Sequence, residues 1–392
     1  REPARAVDWT QRRQVQGKES LPTVVVVVVV AMGCAPSTEE EQVTKALDRK
    51  LRQEYNATKD VIKILLLGTG GCGKSTIMKQ MKRITKNTMT PVEIKEYTVT
   101  IRDNLLSALK QIATAAMHQF GYDDELKKDI LGITNKFAEW SPTVIANHAS
   151  KGMEGKELKE LSTEVSKFMA DPVIQKTISR GNEYCLLDSA SYYIKEVGVP
   201  AIMATDFAPK FEHIVRSRKA TESINEYHFE RGGSKLTMID VGGQRGRRKQ
   251  WIKCFDNVTV ILFIASIAEY DMMLEECATR SRMHESHDFF NELINLEFLD
   301  GIPIVLLLNK VDILREKIAA KPFVFEDFEG DGKSEDDVLD FVKNYYIDKH
   351  DMKVRKTTAI TAMDFYSSEI IWTETLNAVL QYNRDAVGMM DY

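Results

Sequence analysis

The chain has 392 residues, of which 43% are hydrophobic and 28% charged, and its formal net charge is −5 at pH 7. This balance predicts a soluble globular protein with length enough for two domains, and it excludes the basic surface that nucleic-acid binding requires. The cysteines stand far apart without the spacing of a zinc site, which favours a reducing compartment. They are Cys34, Cys72, Cys185, Cys254 and Cys277.

The first 31 residues are predicted to form an extension outside the folded domains. They contain a run of valines, Val24 to Val30, which is far too short to cross a bilayer. Basic residues precede this run, so a signal-peptide core is the alternative interpretation. We expect the true start at Met32 and residues 1–31 to be disordered.

A lipidation signal follows the valine run. In Met32-Gly33-Cys34, Gly33 becomes the N-terminus if Met32 is removed, and Ser37 stands five positions after that methionine. This pattern is typical of N-myristoylation at Gly33, and Cys34 can carry a palmitoyl chain beside it. Two lipids anchor a protein stably where one does so marginally, so we expect a membrane anchor. The alternative is that Gly33 is internal and unmodified.

Residues 32–60 are predicted to contain the amphipathic helix that carries these lipids. Ser37 with the acids after it forms a helix-capping pattern, and Val43, Leu47 and Leu51 recur at four-residue intervals. A single helix ahead of the first strand indicates a partner-binding or membrane-proximal element. The alternative is that it packs against its own domain.

A phosphate-binding loop follows the first predicted strand. The apolar run 61–67 leads into Gly-Thr-Gly-Gly-Cys-Gly-Lys-Ser at 68–75, and helix-forming residues come next. Glycines let backbone N–H groups turn towards phosphates, Lys74 adds a positive charge, and the Ser75 hydroxyl can join a Mg²⁺ shell. With a strand before it and a helix after it, this segment predicts a nucleoside triphosphate site rather than a chance turn. The predicted contacts are Gly70, Gly71, Cys72, Gly73, Lys74, Ser75 and Thr76.

Three further apolar runs predict strands, at 235–240, 258–265 and 302–308. The last two are continuously apolar, as in parallel strands covered on both faces, and helical stretches alternate with them. This order favours a doubly wound α/β fold. The stretch 91–212 has helical patterns and few β-branched runs, so we interpret it as an all-helical domain inserted into a loop. The α/β domain then consists of 61–90 and 213–392.

A second phosphate-sensing segment begins at the end of the 235–240 strand. Its sequence, Asp-Val-Gly-Gly-Gln, starts with Asp240, an acid that can reach Mg²⁺ directly or through water. Gly242 and Gly243 permit a loop that rearranges around a terminal phosphate, and Gln244 is placed to orient an attacking water.

A base-recognition motif, Asn309-Lys310-Val311-Asp312, follows the last apolar run. The Asp312 carboxylate can accept two hydrogen bonds, from N1–H and the amino group of guanine. Adenine presents no such donor pair, so a site built for those bonds rejects it. Each short motif is weak by itself, but their order and strand context together predict a guanine nucleotide, GTP or GDP.

In this order the motifs resemble those of the α subunit of heterotrimeric G proteins. The resemblance runs from Met32 to the C-terminus and includes the Met-Gly-Cys start, the switch sequence from Asp240 to Phe255, and Arg-Met-His-Glu-Ser at 282–286. It implies a Ras-like P-loop GTPase domain with a parallel-type, doubly wound sheet, plus the inserted all-helical domain. It also implies Mg²⁺ as a cofactor, with three ligands: Ser75, Thr221 and Asp240.

By the same resemblance, Arg218 is an arginine finger that stabilises charge on the transferred phosphoryl group, and Gln244 is the second catalytic residue. On composition alone, Arg218 also fits a solvated basic cluster with Arg216 and Lys219. Asp188 and Ser189, which also fit a helix N-cap, are implied to face the nucleotide across the domain cleft. The remaining implied nucleotide contacts are Val215, Arg216, Thr221, Gly242, Gly243, Asn309, Lys310 and Ile360.

The resemblance implies a switch that binds GTP, hydrolyses it, and passes a signal from a seven-helix receptor to an effector protein. The receptor would dock on the last predicted helix, about Phe365 to Asn383, and a βγ dimer on the N-terminal helix and the segment from Arg248 to Trp251. The implied location is the cytoplasmic face of the plasma membrane. Two alternatives stay open: a GTP-binding scaffold with little or no hydrolysis, and an ATP-using P-loop enzyme, against which Asp312 argues.

The chain departs from the family pattern near the phosphates. Gly71 and Cys72 stand where the family has Glu-Ser, and that Glu normally pairs with the arginine finger and helps to retain the nucleotide. We therefore expect looser GDP retention and a less restrained Arg218. Glu222 adds negative charge near the Mg²⁺ site, and Cys277 stands in a loop where the family has acids.

Overall fold

The computed structural model describes residues 61–119, 135, 147, 149–243, 254–347 and 354–388, apart from positions 88, 222, 232, 256, 275, 276 and 300. Several sequence predictions lie outside these residues: the extension 1–31, the helix 32–60 with Gly33 and Cys34, the partner segment 248–251, Glu222 and Gln244. Within the described part, no helix is both long and apolar enough to cross a membrane.

The described strands are β1 (Val61–Leu67), β2 (Asn225–Arg231), β3 (Ser234–Asp240), β4 (Val260–Ser266), β5 (Met273–Leu274), β6 (Cys277–Ser281), β7 (Ile304–Asn309) and β8 (Val354–Ile360). Six of them form one sheet in the order β2-β3-β1-β4-β7-β8, while β5 and β6 form a separate ribbon. All neighbours in the large sheet are parallel except β2 and β3, which are antiparallel.

The strands predicted from apolar runs correspond to β3, β4 and β7, of which the last two begin two residues later than predicted. The sequence did not predict β2 and β8, which are the two edges of the large sheet. An edge strand has a neighbouring strand on one side only and is therefore more exposed than a central strand. The polar residues of β8 interrupt the continuous apolar run that is typical of a central strand. The sequence also assigned Cys277 to a loop, whereas it begins β6 because pairing with β5 gives that segment a partner strand.

The described α-helices are α1 (Lys74–Ile84), α2 (Pro91–Thr114), α3 (Gly155–Ala170), α4 (Pro172–Ser179), α5 (Val199–Met203), α6 (Phe211–Arg216), α7 (Arg282–Ile294), α8 (Val311–Ala320), α9 (Glu335–Ile347) and α10 (Phe365–Gly388). The start of α2 shows why these bounds follow from sequence. Thr90 and Glu93 form a reciprocal capping box, and Pro91 occupies the first helical position, where its missing N–H costs nothing. The last helix, α10, continues beyond its predicted end at Asn383.

Both faces of the large sheet are covered. Leu65 and Leu67 of β1 face a core shared with α7, α8 and α9. Their neighbours Ile64 and Leu66 face the opposite core, which α1 and α10 cover. Successive side chains of a strand point to opposite faces, so a continuously apolar strand requires two such cores. This is the doubly wound, mostly parallel sheet that the sequence predicts.

The helices between α1 and β2 bury a core separate from the two sheet cores. Leu105 of α2, Phe168 of α3 and Ile202 of α5 are among its buried members. Arg102 of α2 donates to the carbonyls of Ile202 and Ala204, which lie at the end of α5. All described elements from residue 91 to 216 are helical. The predicted domain boundary at 212 falls within α6 and stays a prediction.

Candidate functional site

The carboxyl ends of β1, β3 and β7 meet at one edge of the sheet. The parallel register pairs Leu66 with Asp240, and it pairs Ser266 with Asn309. The loop after β1, the acid that ends β3 and the polar residue that ends β7 therefore lie side by side. Ligands of open parallel sheets bind at this edge, and a cleft of about 470 Å³ lies there.

Two glycines of the phosphate-binding loop are required by close contacts as well as by backbone conformation. Gly68 has a φ of 143°, and a Cβ there would lie 2.2 Å from the carbonyl oxygen of Ile264. Gly73 has a φ of 113°, and a Cβ there would lie 2.2 Å from Nδ2 of Asn309. Only glycine combines this conformation with such an approach, so the loop is built against β4 and β7.

Lys74 is the buried cation of this loop. Its Nζ donates to the carbonyl oxygens of Gly68 and Thr69, both at 2.9 Å. A Cβ at Gly243 would lie 2.6 Å from that Nζ and 2.5 Å from the carbonyl oxygen of Gly68. The Asp-Val-Gly-Gly segment after β3 thus packs directly on the ammonium of the phosphate-binding loop.

Three side-chain oxygens converge beside the loop. Ser75 Oγ donates to Asp240 Oδ2 at 3.2 Å, Thr221 Oγ1 donates to the same oxygen at 3.4 Å, and the two hydroxyls are 3.4 Å apart. Asp240 is only 3% exposed, and among the described residues its Oδ1 has no hydrogen-bond partner. Burial raises the pKa of the Asp240 carboxyl, against the opposing effect of Lys74. Two hydroxyls and a carboxylate are the oxygen ligands that Mg²⁺ prefers, so this donor set fits that ion.

Asn309 joins two loops of the cleft. Its Nδ2 donates to the carbonyl of Cys72 at 2.7 Å, and its Oδ1 accepts from the N–H of Ala362 at 2.9 Å. The side chain is buried and both its polar atoms are used. Asn309 therefore fixes the phosphate-binding loop relative to the loop after β8.

Lys310 lies at the centre of an ion network. Its Nζ donates to Glu269 Oε1 at 2.6 Å and to Asp188 Oδ2 at 2.8 Å, and Arg282 pairs with the other oxygen of Glu269 at 3.4 Å. Burial opposes the charge of both Glu269 and Lys310, but their attraction prevails. The pKa of Glu269 falls to about 2, and that of Lys310 rises above its ordinary value.

Most predicted site residues line the cleft: Gly70, Gly71, Gly73, Lys74, Ser75, Thr76, Asp188, Ser189, Arg216, Arg218, Thr221, Gly243, Asn309, Lys310 and Asp312. Asp240 and Gly242 are buried beside it. The structure does not bring Cys72, Val215 and Ile360 into the lining, because their side chains are packed in the protein interior. Cys72 contacts the site indirectly: its carbonyl accepts from Asn309, and its Sγ accepts from Nζ of Lys74 at 3.6 Å. Gln244 lies outside the described residues.

Sequence reasoning missed several residues of the cleft. One of them is Tyr192, which lines the cleft with its ring centroid 4.1 Å from the guanidinium of Arg216, itself a predicted contact. Ala362 and Met363 line it in place of Ile360. Glu269, which is buried next to the cleft, accepts a hydrogen bond from Nζ of Lys310. None of the missed residues belongs to a short motif, and an acid three residues after the end of β4 was the only available signal for Glu269.

A glycine-rich phosphate loop, a Ser–Thr–Asp oxygen cluster and an Asn-Lys-Val-Asp segment thus meet at one edge of a mostly parallel sheet. Together they define a P-loop nucleotide-binding protein of the Ras-like class.

Comparison with known proteins narrows this class. Residues 41–385 match the family model described as G-protein alpha subunit. The chain is 31% identical over 368 residues to the guanine nucleotide-binding protein alpha-17 subunit of Caenorhabditis elegans, covering 92% of this chain and 100% of that protein. It is 32% identical over 367 residues to the guanine nucleotide-binding protein subunit alpha of Cochliobolus heterostrophus, with coverages of 92% and 100%. A third relative, the alpha-3 subunit of Neurospora crassa, is 35% identical over 298 residues, with coverages of 75% and 80%.

The chain belongs to the G-protein alpha subunit family. The resemblance seen in its motifs is confirmed, as is the fold class of a Ras-like GTPase domain with a helical insertion. The protein is accordingly a GTP-binding, signal-transducing switch and a GTPase.

Proposed function

We propose that this chain switches by Mg²⁺-dependent GTP hydrolysis, with its cleft residues in the roles that the sequence predicts. The observation that carries the proposal is the meeting of Ser75, Thr221 and Asp240 beside Lys74. Hydroxyls, a carboxylate and an ammonium at the carboxyl edge of a parallel sheet form the set that a metal-bound triphosphate needs.

Mg²⁺ would be held by Ser75, Thr221 and, directly or through water, Asp240. When bound, it would neutralise charge on the outer phosphates. Among the described residues the buried Oδ1 of Asp240 has no donor, which supports this role, because such a carboxylate oxygen is costly unless a ligand satisfies it. Loops that carry Thr221 and Gly243 would be ordered by these contacts and released after hydrolysis.

The remaining cleft residues would bind the nucleotide itself. Lys74 would move its ammonium from the carbonyls of Gly68 and Thr69 to the outer phosphates, which are stronger acceptors. Asp312 lines the cleft at the start of α8, and its carboxylate would accept the two guanine donors. Asp188 and Ser189 would cover the nucleotide from the helical region.

The catalytic residues would be Arg218 and Gln244. A Cβ on Gly71 would lie 3.4 Å from Nη2 of Arg218, so the guanidinium lies against the phosphate-binding loop. From there it would stabilise charge that develops on the transferred phosphoryl group. Gln244 would orient the attacking water.

The protein would act at the cytoplasmic face of the plasma membrane. Lipids on Gly33 and Cys34 would anchor it, and a βγ dimer would bind the helix 32–60 in the GDP state. A seven-helix receptor would dock on α10, and an effector would bind the GTP state. Family membership supports heterotrimeric G-protein signalling, and these particular partners follow from the sequence resemblance.

Single-turnover hydrolysis of bound GTP, started with Mg²⁺, tests the catalytic assignment. The parent chain is expected to hydrolyse slowly, Arg218→Cys and Gln244→Leu to lose most of that rate, and both variants to bind nucleotide normally. Lys219→Ala is the matched control, since this exposed cation lines the same cleft without an assigned role. Equal rates in all four proteins would refute the assignment.

Two further measurements test the ligand and the anchor. GTP should displace a fluorescent GDP analogue where ATP at the same concentration does not, and Asp312→Ala should lose this preference. Displacement by ATP at GTP-like concentrations would instead support an ATP-using enzyme.

Labelled myristate should enter the chain expressed from Met32, and Gly33→Ala should abolish incorporation.

A further inference from the structure

The peptide group between Ser217 and Arg218 is held from both sides. Nζ of Lys79 donates to the carbonyl oxygen of Ser217 at 2.6 Å, and Oδ1 of Asn104 accepts from the N–H of Arg218 at 2.7 Å. In a planar trans peptide the C=O and the N–H point in opposite directions. Lys79 and Asn104 therefore bind opposite edges of one peptide group and together fix its orientation.

Asn104 also binds the carbonyl group of Arg218. Its Nδ2 donates to the carbonyl oxygen of Arg218 at 2.8 Å, so one side-chain amide binds both polar main-chain groups of that residue. Asn104 is 6% exposed, and both ends of its amide are occupied. Fixing the N–H and the C=O of Arg218 fixes its backbone dihedral angles, and hence the direction in which the side chain leaves the chain.

Lys79 anchors the segment that leads into Arg218. It is 7% exposed, and its Nζ also lies within hydrogen-bond distance of the carbonyl of Ile214 and of Oγ of Ser217, both at 3.0 Å. Lys79 belongs to α1, the helix that begins at the phosphate-binding loop, whereas Asn104 belongs to α2. The backbone of Arg218 is thus positioned by the helix that carries the loop and by the first long helix of the helical region.

We propose that Asn104, with Lys79 opposite it, is a positioning residue that aims the Arg218 guanidinium at the phosphate-binding loop. Neither residue lines the cleft, so each acts through Arg218 and not on the nucleotide. The inference rests on the proposed catalytic role of Arg218. It assigns to the helical region a part in hydrolysis that acts through Arg218, because Asn104 lies in that region.

The expected effect is on the rate of hydrolysis and not on nucleotide affinity. Asn104→Leu has a similar volume but lacks both hydrogen bonds, which frees the Arg218 backbone. A shift of about 1 Å in a catalytic group can cost on the order of 100-fold in rate, so we expect single-turnover hydrolysis to slow by about 10- to 100-fold. The matched control is Gln111→Leu, which removes an exposed amide from the same helix.

A double-mutant cycle with Arg218→Ala separates positioning from a structural role. If Asn104 acts through Arg218, Asn104→Leu will slow hydrolysis in the parent chain and have no further effect when residue 218 is alanine. Affinities for GDP and for a non-hydrolysable GTP analogue will stay unchanged in both. The same fold-loss in both backgrounds, or a full rate in Asn104→Leu, would overturn the inference.

Lys79→Met repeats the cycle from the other side of the peptide and serves if Asn104→Leu does not fold. It is also expected to slow hydrolysis only when Arg218 is present.

The proposed function is tested by a different variant of the same cycle, Arg218→Ala alone. A full rate in Arg218→Ala would refute the catalytic role of Arg218 and the inference with it, whereas a slow Arg218→Ala beside a full-rate Asn104→Leu would refute the inference alone.

Discussion

Lys310 and Asp188 form an ion pair, 2.8 Å between Nζ and Oδ2, that joins the segment after β7 to the helical region. Asp188 is 43% exposed at its side chain, whereas Lys310 is nearly buried and also held by Glu269. The pair spans the cleft, since both residues line it. We therefore expect this pair to influence nucleotide release, because it joins two sides of the cleft.

Replacing Asp188 by asparagine should accelerate GDP release. A partly exposed ion pair contributes up to about 1 kcal/mol, which corresponds to about two- to fivefold in rate. Release of a fluorescent GDP analogue measures this directly, and high salt should reduce the difference between parent and variant. Asp206→Asn, an exposed acid of the helical region, should release GDP at the parental rate. Equal rates in Asp188→Asn and Asp206→Asn would show that the pair does not restrain the nucleotide.

Introducing glutamate at Gly71 should slow GDP release. The new side chain would begin 3.4 Å from the Arg218 guanidinium, and a charge-assisted hydrogen bond across the phosphates is worth enough to slow release about tenfold. The φ of Gly71 is 82°, so the nucleotide-free protein should lose about 1–2 kcal/mol of stability. Gly71→Gln carries the same strain without the charge. If it slows release as much as Gly71→Glu, the ion pair is not the cause.

Acid should remove the stability that Glu269 contributes. Its pKa in the folded protein is about 2, below its ordinary value of 4.5. A carboxyl with a lowered pKa stabilises the fold fully above pH 4.5, and this contribution is lost as the pH falls towards 2. The shift corresponds to on the order of 3 kcal/mol.

Denaturant unfolding at several pH values between 6 and 3 measures this loss. Glu269→Gln should unfold more easily at pH 6, and its stability should fall less steeply with acid than that of the parent. Glu160→Gln is a suitable control, because Glu160 is an exposed acid of α3 whose partner, Lys156, is exposed as well. Parallel pH profiles for Glu269→Gln and the parent would contradict the prediction.

Replacing Gly243 by alanine should reduce the preference for GTP over GDP. A Cβ there would lie 2.5 Å from the carbonyl oxygen of Gly68 and 2.6 Å from Nζ of Lys74. Overpacking of this kind costs about 1–3 kcal/mol, and the loop would have to move away from the outermost phosphate. We expect about tenfold weaker binding of a non-hydrolysable GTP analogue with little change for GDP.

Gly155→Ala is the control for Gly243→Ala, because no atom lies within 4 Å of the Cβ it would add. The φ of 56° at Gly155 makes its alanine a test of backbone strain outside the cleft lining. It should bind both nucleotides as the parent does. If Gly243→Ala weakens the binding of both nucleotides equally, the segment at Gly243 affects nucleotide binding in general and does not distinguish the terminal phosphate of GTP.

The central strands and the nucleotide motifs could be predicted because their evidence is local. Ile304 to Leu308 is continuously apolar, and the glycines and lysine of the phosphate-binding loop stand at fixed spacing next to a strand. The edge strands β2 and β8 could not be predicted in this way, since their side chains face solvent as well as core. Cys72 and Ile360 were assigned to the nucleotide from their position in motifs, whereas their side chains complete the hydrophobic core.

The sequence by itself determined the family, the order of the motifs and most of the residues that meet at the carboxyl edge of the sheet. Short motifs carry this information because phosphate binding depends on neighbouring backbone groups. Only the tertiary structure decided that Asn104 and Lys79 bind the backbone at Arg218, and that Glu269 pairs with Lys310. Asn104 is 114 residues away from Arg218 in the chain, and its partners are main-chain atoms. Such hydrogen bonds require no particular residue type in the partner, so no sequence pattern records them.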